Sequence, residues 1–448
     1  MQIARHTRTI PRFTILMPIM VILMVAISWW LARDRFSTIT HPATDYLNIA
    51  AERVGTPTRK LVEQMQRRLR ASPDDWQINS QLGLAYLQLA REIADPTYYQ
   101  KAEAALKKAL DYEPEDYTSV SGMGALALAR HQFQEGLEWG EHARQINPER
   151  TYAYGVIADA QIELGQYEEA IQTLQKMVDL RPDMSSYARI SYIRELHGDM
   201  AGAFEMMQWA ADGGAPNLEN TAWIRTQLGN LYFSVGDLMH AEEEYLITLN
   251  GYPGYVYALA GLGRVRAAQG KNDEAIQLLN KVSEVTPLPE FNITLADIFE
   301  MNGQHEAAQQ QFELLQVIQE LYQANGVDMD LEIALFNADH GIDSEKTLAE
   351  AHQAYARRPS IYAADVLAWV LYNAGDYVEA RRYSQEALRL GTKDALKLFH
   401  AGMIAYRLGD NIQARDFLGE ALANNPYFSI RYSPEAQRIL QMLEAGSS

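Results

Sequence analysis

Residues 228–253 open Leu228-Gly229-Asn230-Leu231-Tyr232, reach Gly236-Asp237, and run on through Ala241 and Tyr245 to Pro253. The spacing is Leu-Gly-x2-Tyr, then a glycine, then Ala-x3-aromatic, then proline. It predicts two antiparallel helices. Gly236 ends the first in the left-handed conformation that glycine adopts without strain. Asp237 has the short oxygen-bearing side chain of an N-cap for the second. Pro253 stops the second helix and begins the next segment.

Working outward, the same pattern returns at a period of about 34 residues. Downstream it reads Leu262-Gly263, Gly270, Ala275, Leu279 and Pro287. The last copy reads Ala401-Gly402, Gly409, Ala414, Leu418 and Pro426, and the first reads Leu82-Gly83, Tyr86, Ala102, Leu106 and Pro114. In the first copy, extra residues around Ala94-Asp95-Pro96 push the halves apart. Related registers lie at 116–148, 150–182, 184–216, 289–316, 328–359 and 361–392, giving ten units in all. Glycine inside a helix costs about 1 kcal/mol relative to alanine. Its return at one phase (Gly83, Gly124, Gly229, Gly263, Gly402) therefore implies close approach of the paired helix, with the recurrent alanine as the other half of the contact.

Other stretches frame these units. Residues 13–32 carry no charge, and twenty residues rising about 1.5 Å each cross a bilayer core of about 30 Å. Trp29 and Trp30 suit an interface, and the run is longer than the apolar part of a cleaved signal despite Ala26-Ile27-Ser28. Arg5, Arg8 and Arg12 precede it against Arg33 and Arg35 after it, which predicts a cytoplasmic stub at 1–12 and an extracytoplasmic solenoid on a single-pass cell-membrane anchor. Residues 33–72 form a linker, with a helix over 44–71 presenting Leu61, Met65 and Leu69. The repeats occupy 73–426. Val317 to Tyr322 extends a helix beyond the unit at 289–316. Residues 427–448 hold a capping helix, Pro434 to Glu444, that turns Ile439, Leu440 and Leu443 to the last unit.

These features resemble a bacterial membrane-anchored tetratricopeptide-repeat protein. From Arg194 onward the resemblance extends to one bacterial group through Glu195-Leu196-His197-Gly198-Asp199, Ala334-Leu335-Phe336-Asn337-Ala338-Asp339-His340-Gly341, Arg358-Pro359-Ser360-Ile361-Tyr362-Ala363-Ala364-Asp365 and Phe399-His400-Ala401-Gly402-Met403-Ile404. That group has no assigned activity. The resemblance implies an all-α, right-handed solenoid of about ten helix pairs behind one transmembrane helix, and leaves function open. It also implies which positions line the inner groove: the second, fifth, ninth, twelfth and thirteenth of each first helix. Here these include Tyr152, Tyr192, Trp223, Asn230, Phe233, Tyr257, Tyr362, Asp365, Trp369, Tyr372, Phe399 and Tyr406. The aromatics among them are natural anchors, because they bury much area at low entropic cost. Nine groove positions are acidic (Asp159, Glu163, Glu195, Glu290, Asp297, Glu300, Asp328, Asp339, Asp365) and only Arg264 and Arg407 are basic. The expected occupant is thus an apolar or basic protein segment, with an envelope carbohydrate polymer as the alternative. The Lys/Arg/Asn set with which some tetratricopeptide domains clamp a C-terminal carboxylate is not at the groove positions of adjacent units.

Chemistry-bearing motifs are sparse. With 39 Lys and Arg against 58 Asp and Glu, the net charge of -19 opposes nucleic-acid binding. The absence of cysteine excludes disulfides, thiolate metal sites and cysteine nucleophiles. Gly122-Met123-Gly124-Ala125-Leu126-Ala127 fits a dinucleotide loop only if a strand precedes it, and a repeat helix runs through it instead. His305-Glu306 lacks a second ligand at Gln309. Asp328, Asp330 and Glu332 lack the glycine and distal glutamate of a calcium loop. Asp339-His340 ends a helix with no nucleophile at a fixed offset. No enzyme activity, metal or cofactor is expected.

Overall fold

The computed structural model describes residues 57–286 and 288–445. The predicted stub, the anchor at 13–32 and the first part of the linker lie outside the described residues. Among those described, no helix is long and apolar enough to cross a membrane.

The described residues form α-helices and no strand. Helix α1 (Pro57–Ala71) leads. Ten antiparallel pairs follow: α2 (Trp76–Ile93) with α3 (Thr97–Tyr112), α4 (Tyr117–Ala129) with α5 (Phe133–Ile146), α6 (Thr151–Glu163) with α7 (Tyr167–Leu180), and α8 (Met184–Leu196) with α9 (Met200–Asp212). Next come α10 (Glu219–Ser234) with α11 (Leu238–Gly251), α12 (Val256–Ala268) with α13 (Asn272–Val285), and α14 (Pro289–Met301) with the long α15 (His305–Ala324). The series ends with α16 (Asp330–His340) and α17 (Ser344–Arg357), α18 (Ile361–Ala374) and α19 (Tyr377–Ala387), α20 (Ala395–Arg407) and α21 (Asn411–Asn424), then the capping helix α22 (Ser433–Ala445). The repeat register, the long α15 and the cap match expectation. Helix α1 packs through Val62 and Met65, while Leu61 points outward and is exposed.

Every pair turns through a residue of positive φ (Ala94, His131, Gly165, Gly198, Gly236, Gly270, Gly303, Gly341, Gly375 and Gly409), and the eighth turn adds a second, Asp343. Aspartates cap four of the ten second helices, Asp199, Asp237, Asp376 and Asp410, as Asp237 does by accepting the His240 amide at 3.2 Å. In the second unit the turn falls on His131, a non-glycine residue.

The recurrent helix glycine also has a sharper cause than close approach to alanine. A Cβ on Gly229 would lie 2.6 Å from the Tyr245 ring, one on Gly263 2.9 Å from Leu279, and one on Gly402 2.8 Å from Leu418. The large residue four after the recurrent alanine fills the space that the glycine leaves. Tyr245, fully buried, does this for both Gly229 and Gly261.

The coil also closes on itself. Arg130 Nε donates to the Asn325 carbonyl at 3.0 Å, and the Asp328 amide donates to the Arg130 carbonyl at 3.0 Å. Tyr167 Oη accepts the Ile361 amide at 2.8 Å, and Asn425 Nδ2 donates to the Phe233 carbonyl at 2.9 Å. The partners are separated by 195, 194 and 192 residues in the three side-chain bonds. Successive superhelical turns therefore touch, one turn taking somewhat under six units of about 34 residues. A solenoid whose repeats meet only their neighbours has no such bonds.

Candidate functional site

Turn-on-turn closure makes the inner wall a narrow lumen. Early first helices reach across it: Arg91 Nη2 (α2) meets Glu219 Oε2 (α10) at 2.6 Å, and Tyr255 Oη donates to Glu219 Oε1 at 3.1 Å. Farther along, Arg189 grips Asp159 with two bonds of 2.8 and 2.7 Å between α8 and α6.

A cavity of about 750 Å³ opens on this wall. Its lining joins the ends of α6, α8 and α10 (Glu163, Tyr192, Glu195, Phe233) to α12 (Arg264) and to the next superhelical turn (Tyr362, Asp394, Lys397). Both bases are engaged. Lys397 Nζ lies 2.6 Å from Asp394 Oδ2, and the Arg264 guanidinium sits 4.3 Å above the Phe233 ring. Among the described residues, no Lys or Arg side chain lies within ion-pair distance of Glu163 or Glu195. Burial, with Asp394 adding repulsion and Lys397 opposing it, pushes the Glu195 carboxyl up to about 7. Burial likewise raises Glu163, against a partial counter-effect of Arg358 and His131. Desolvation within the cavity, then Glu163 and Glu195, raise the Tyr192 phenol well above its ordinary value, although part of its ring stays open on the wall. The wall is thus an aromatic-lined pocket that favours an incoming cation.

Glu195 yields the first prediction. Its folded pKa stands above the ordinary 4.5, so the fold favours the protonated acid. Stability falls as pH rises from 4.5 to about 7 and levels off beyond. The loss is about 1–3 kcal/mol, allowing for partial solvation. Glu195→Gln flattens this slope and makes the protein more stable than wild type at pH 8. Urea midpoints at pH 5 and pH 8 check it; identical slopes for the two proteins would refute it.

The predicted groove residues separate into three groups. Tyr152, Tyr192 and Trp223 are exposed on the inner wall. Asn230, Tyr257, Tyr362, Tyr372 and Tyr406 are half-buried. Asn230 is held by the Tyr245 hydroxyl at 2.8 Å, and the Tyr257 ring packs edge-on against Phe291. Phe233, Asp365, Trp369 and Phe399 are corrections: they are core residues, buried at 5%, 3%, 3% and 0% exposure. Asp365 is there because both its oxygens lie 3.1 Å from His400 Nδ1, and His400 is wholly buried. Trp369 is sandwiched between Tyr372 and His400, with centroids 4.6 and 4.1 Å away. Only Tyr192, Phe233 and Tyr362 of the predicted set share the cavity.

The remaining motifs resolve into structure. Asp328 and Asp330 hold Arg357, and Asp330 also holds Arg358, so two of the three alternating acids bind arginines; no metal-holding cluster exists among the described residues. Asp339 accepts from Trp369 Nε1 and Tyr432 Oη, each at 2.7 Å. His340 Nε2 lies 3.5 Å from Asp297. Gly122 and Gly124 sit mid-helix in α4. Sequence reading missed Lys397, Asp394, Arg431 and Tyr432, which the repeat register assigns to no groove position.

The helix pairs, their glycine turns and their phase find a match among known proteins. Tetratricopeptide-repeat family models match residues 127–190 and 226–286. The chain carries tetratricopeptide repeats. Human superkiller complex protein 3 is 29% identical over 22% of this chain, and cellulose synthase 1 operon protein C of Komagataeibacter xylinus is 24% identical over 51% of it. These alignments span only 6% and 16% of the respective relatives. A thermophilic TPR protein of Thermus thermophilus covers 42% of this chain and 98% of its own, at 21% identity and a TM-score of 0.37.

Proposed function

We propose that the repeats form a non-enzymatic scaffold that binds an apolar or basic protein segment on the inner wall, tethered to the cell membrane by residues 13–32 with the repeats outside the cytoplasm. The observation that carries this is the cavity itself, where Tyr192, Tyr362 and Phe233 surround Glu163 and Glu195, which among the described residues have no Lys or Arg within ion-pair distance. A lysine or arginine from a partner supplies the missing charge, and the rings supply apolar area. Tethering raises the local concentration of whatever is held.

The test is site-specific photocrosslinking in native membranes. A benzophenone amino acid at Tyr192, on the inner wall, is expected to give discrete protein adducts. The same probe at Met239, 70% exposed, is expected to give none in common with it. The same adducts from both sites, or none from Tyr192, would dispose of the scaffold reading.

The second reading is an envelope polysaccharide binder. The exposed inner rings Tyr152, Tyr192 and Trp223 suit sugar stacking, and one relative is named for a cellulose synthase operon. Saturable, salt-insensitive binding of purified glycan, lost in Tyr192→Ala, would favour it.

A further inference from the structure

Helix α1 carries five bases, Arg59, Lys60, Arg67, Arg68 and Arg70, against one acid, Glu63, in a chain whose net charge is -19. One face of it is fixed to the repeats. Val62 and Met65 are buried beside Ile78, Leu82 and Leu89 of α2. Gln66 Nε2 donates to Tyr86 Oη at 2.8 Å, and Thr58 Oγ1 donates to Glu92 Oε1 at 2.6 Å. The opposite face presents Lys60, Leu61, Gln64, Arg67, Arg68 and Arg70, all exposed. Arg67 lies 4.0 Å from Glu63 with both side chains more than half exposed, so that pair is weak. Among the described residues, no carboxylate lies within ion-pair distance of Lys60, Arg68 or Arg70.

We propose that this outer face of α1 is a membrane-docking surface, and that its partner is the anionic headgroup layer of a lipid bilayer. Four bases stand on it with a single acid beside them, and Leu61, 44% exposed, lies next to them to enter the interface. A face that needs only to be solvated takes either sign of charge; this one concentrates the minority sign of the chain. The acids of distant repeats do not cancel it, because charges are screened over about 8 Å at physiological salt. The acids that follow α1 in the chain are engaged elsewhere. Asp74 lies 4.0 Å from Lys108, and Asp75 caps α2 by accepting the Ile78 amide at 3.0 Å. A bilayer is favoured over an acidic surface of a second copy because the uncharged stretch 13–32 precedes α1 in the same chain, with only residues 33–56 between them. That preference rests on the tether proposed above; the charge on α1 does not. Each base near an anionic surface raises the docked-to-undocked ratio roughly fivefold. Docking therefore holds the start of the repeats against the headgroups, where a tether alone leaves them free to swing.

The chain has no cysteine, so Gln64→Cys takes a single environment-sensitive fluorophore on the exposed face. The labelled full chain is reconstituted with vesicles of phosphatidylcholine alone or with phosphatidylglycerol added, and flotation is read alongside emission. With phosphatidylglycerol the emission is expected to shift to the blue, and high salt is expected to reverse the shift. With phosphatidylcholine alone no shift is expected. Arg68→Gln is expected to lower the docked-to-undocked ratio roughly fivefold, and Lys60→Gln, Arg67→Gln, Arg68→Gln and Arg70→Gln together to abolish the shift. Should the quadruple variant fail to fold by circular dichroism, the Arg68→Gln titration against phosphatidylglycerol content decides. An equal shift in both vesicle types, no shift in either, or a shift that the folded variants retain in full overturns the proposal. A shift without vesicles that grows with protein concentration assigns the face to a second copy and overturns it as well. Flotation separates this proposal from the tether. A chain that floats with both vesicle types and never shifts loses the docking face and keeps the tether. A chain that floats only with phosphatidylglycerol, and is released by salt, loses the tether and keeps the docking face.

Discussion

Gly198→Ala is expected to destabilise the protein by about 3 kcal/mol or more, whereas Gly375→Ala loses only about 1 kcal/mol. The two glycines occupy the same place in their repeats. Both end a first helix, and both have positive φ, 73° and 87°. Each substitution carries the strain of an L-residue in the left-handed region, roughly 1–2 kcal/mol. Their surroundings differ. A Cβ on Gly198 lands on the carbonyl oxygen of Gly391 in the next superhelical turn, and backbone cannot move aside as a side-chain tip can. A Cβ on Gly375 meets nothing within 4 Å. The excess loss at Gly198 thus measures the inter-turn contact and nothing local. Urea unfolding followed by circular dichroism checks it, and equal midpoints for the two variants would mean that the turns do not touch in solution.

This contact changes how the coil behaves. In an open solenoid, stability is close to a sum of nearest-neighbour terms, and distant repeats unfold separately. Bonds such as Tyr167 to Ile361 and Asn425 to Phe233 couple each early repeat to one more than five units later. They raise the mean sequence separation of contacts, which slows folding. They also turn the inner face from an open groove into a lumen, so the cavity beside Tyr192 is walled by both turns.

What could be read from the sequence follows the range of the interaction. The ten pairs and the cap were legible because glycine, alanine, aspartate and proline act within one hairpin, and each leaves a residue-type signature. The superhelical closure was not legible. It depends on a small rotation accumulated over several units, and its bonds use backbone carbonyls that any residue supplies. The inner face was half legible. Repeat phase placed Tyr152, Tyr192 and Trp223 in the open. Phase says nothing about what lies on top of a position. Asp365 is covered by His400 from the following repeat, and Trp369 by Tyr432 from beyond the last one. The acid-rich character of the face did persist, as Glu163 and Glu195 in the cavity and as Asp297 and Glu300 beside Arg431.

Trp369→Ala is expected to lose about 3–5 kcal/mol. A groove anchor would behave otherwise: it would cost binding and leave the fold intact. Trp369 is 3% exposed and lies flat on Tyr372, with 5° between the rings, and on His400, with 15°. Truncation empties a slot that the stacked neighbours cannot close, since Tyr372 and His400 belong to different helices. It also takes one donor from Asp339, whose carboxyl burial already pushes up while the Tyr432 and Trp369 bonds pull it down. Trp369→Phe separates the two effects. It keeps most of the stacking and loses the 2.7 Å bond, for an expected loss of about 1–3 kcal/mol. Tyr192→Ala, at a position 42% exposed, is expected to stay within about 0.5 kcal/mol of wild type. Thermal unfolding of the three variants checks the order. A Trp369→Ala protein as stable as Tyr192→Ala would put the indole back on an open surface. With the order as stated, a binding defect in a Trp369 variant reports unfolding, and only Tyr192 variants report on the wall itself.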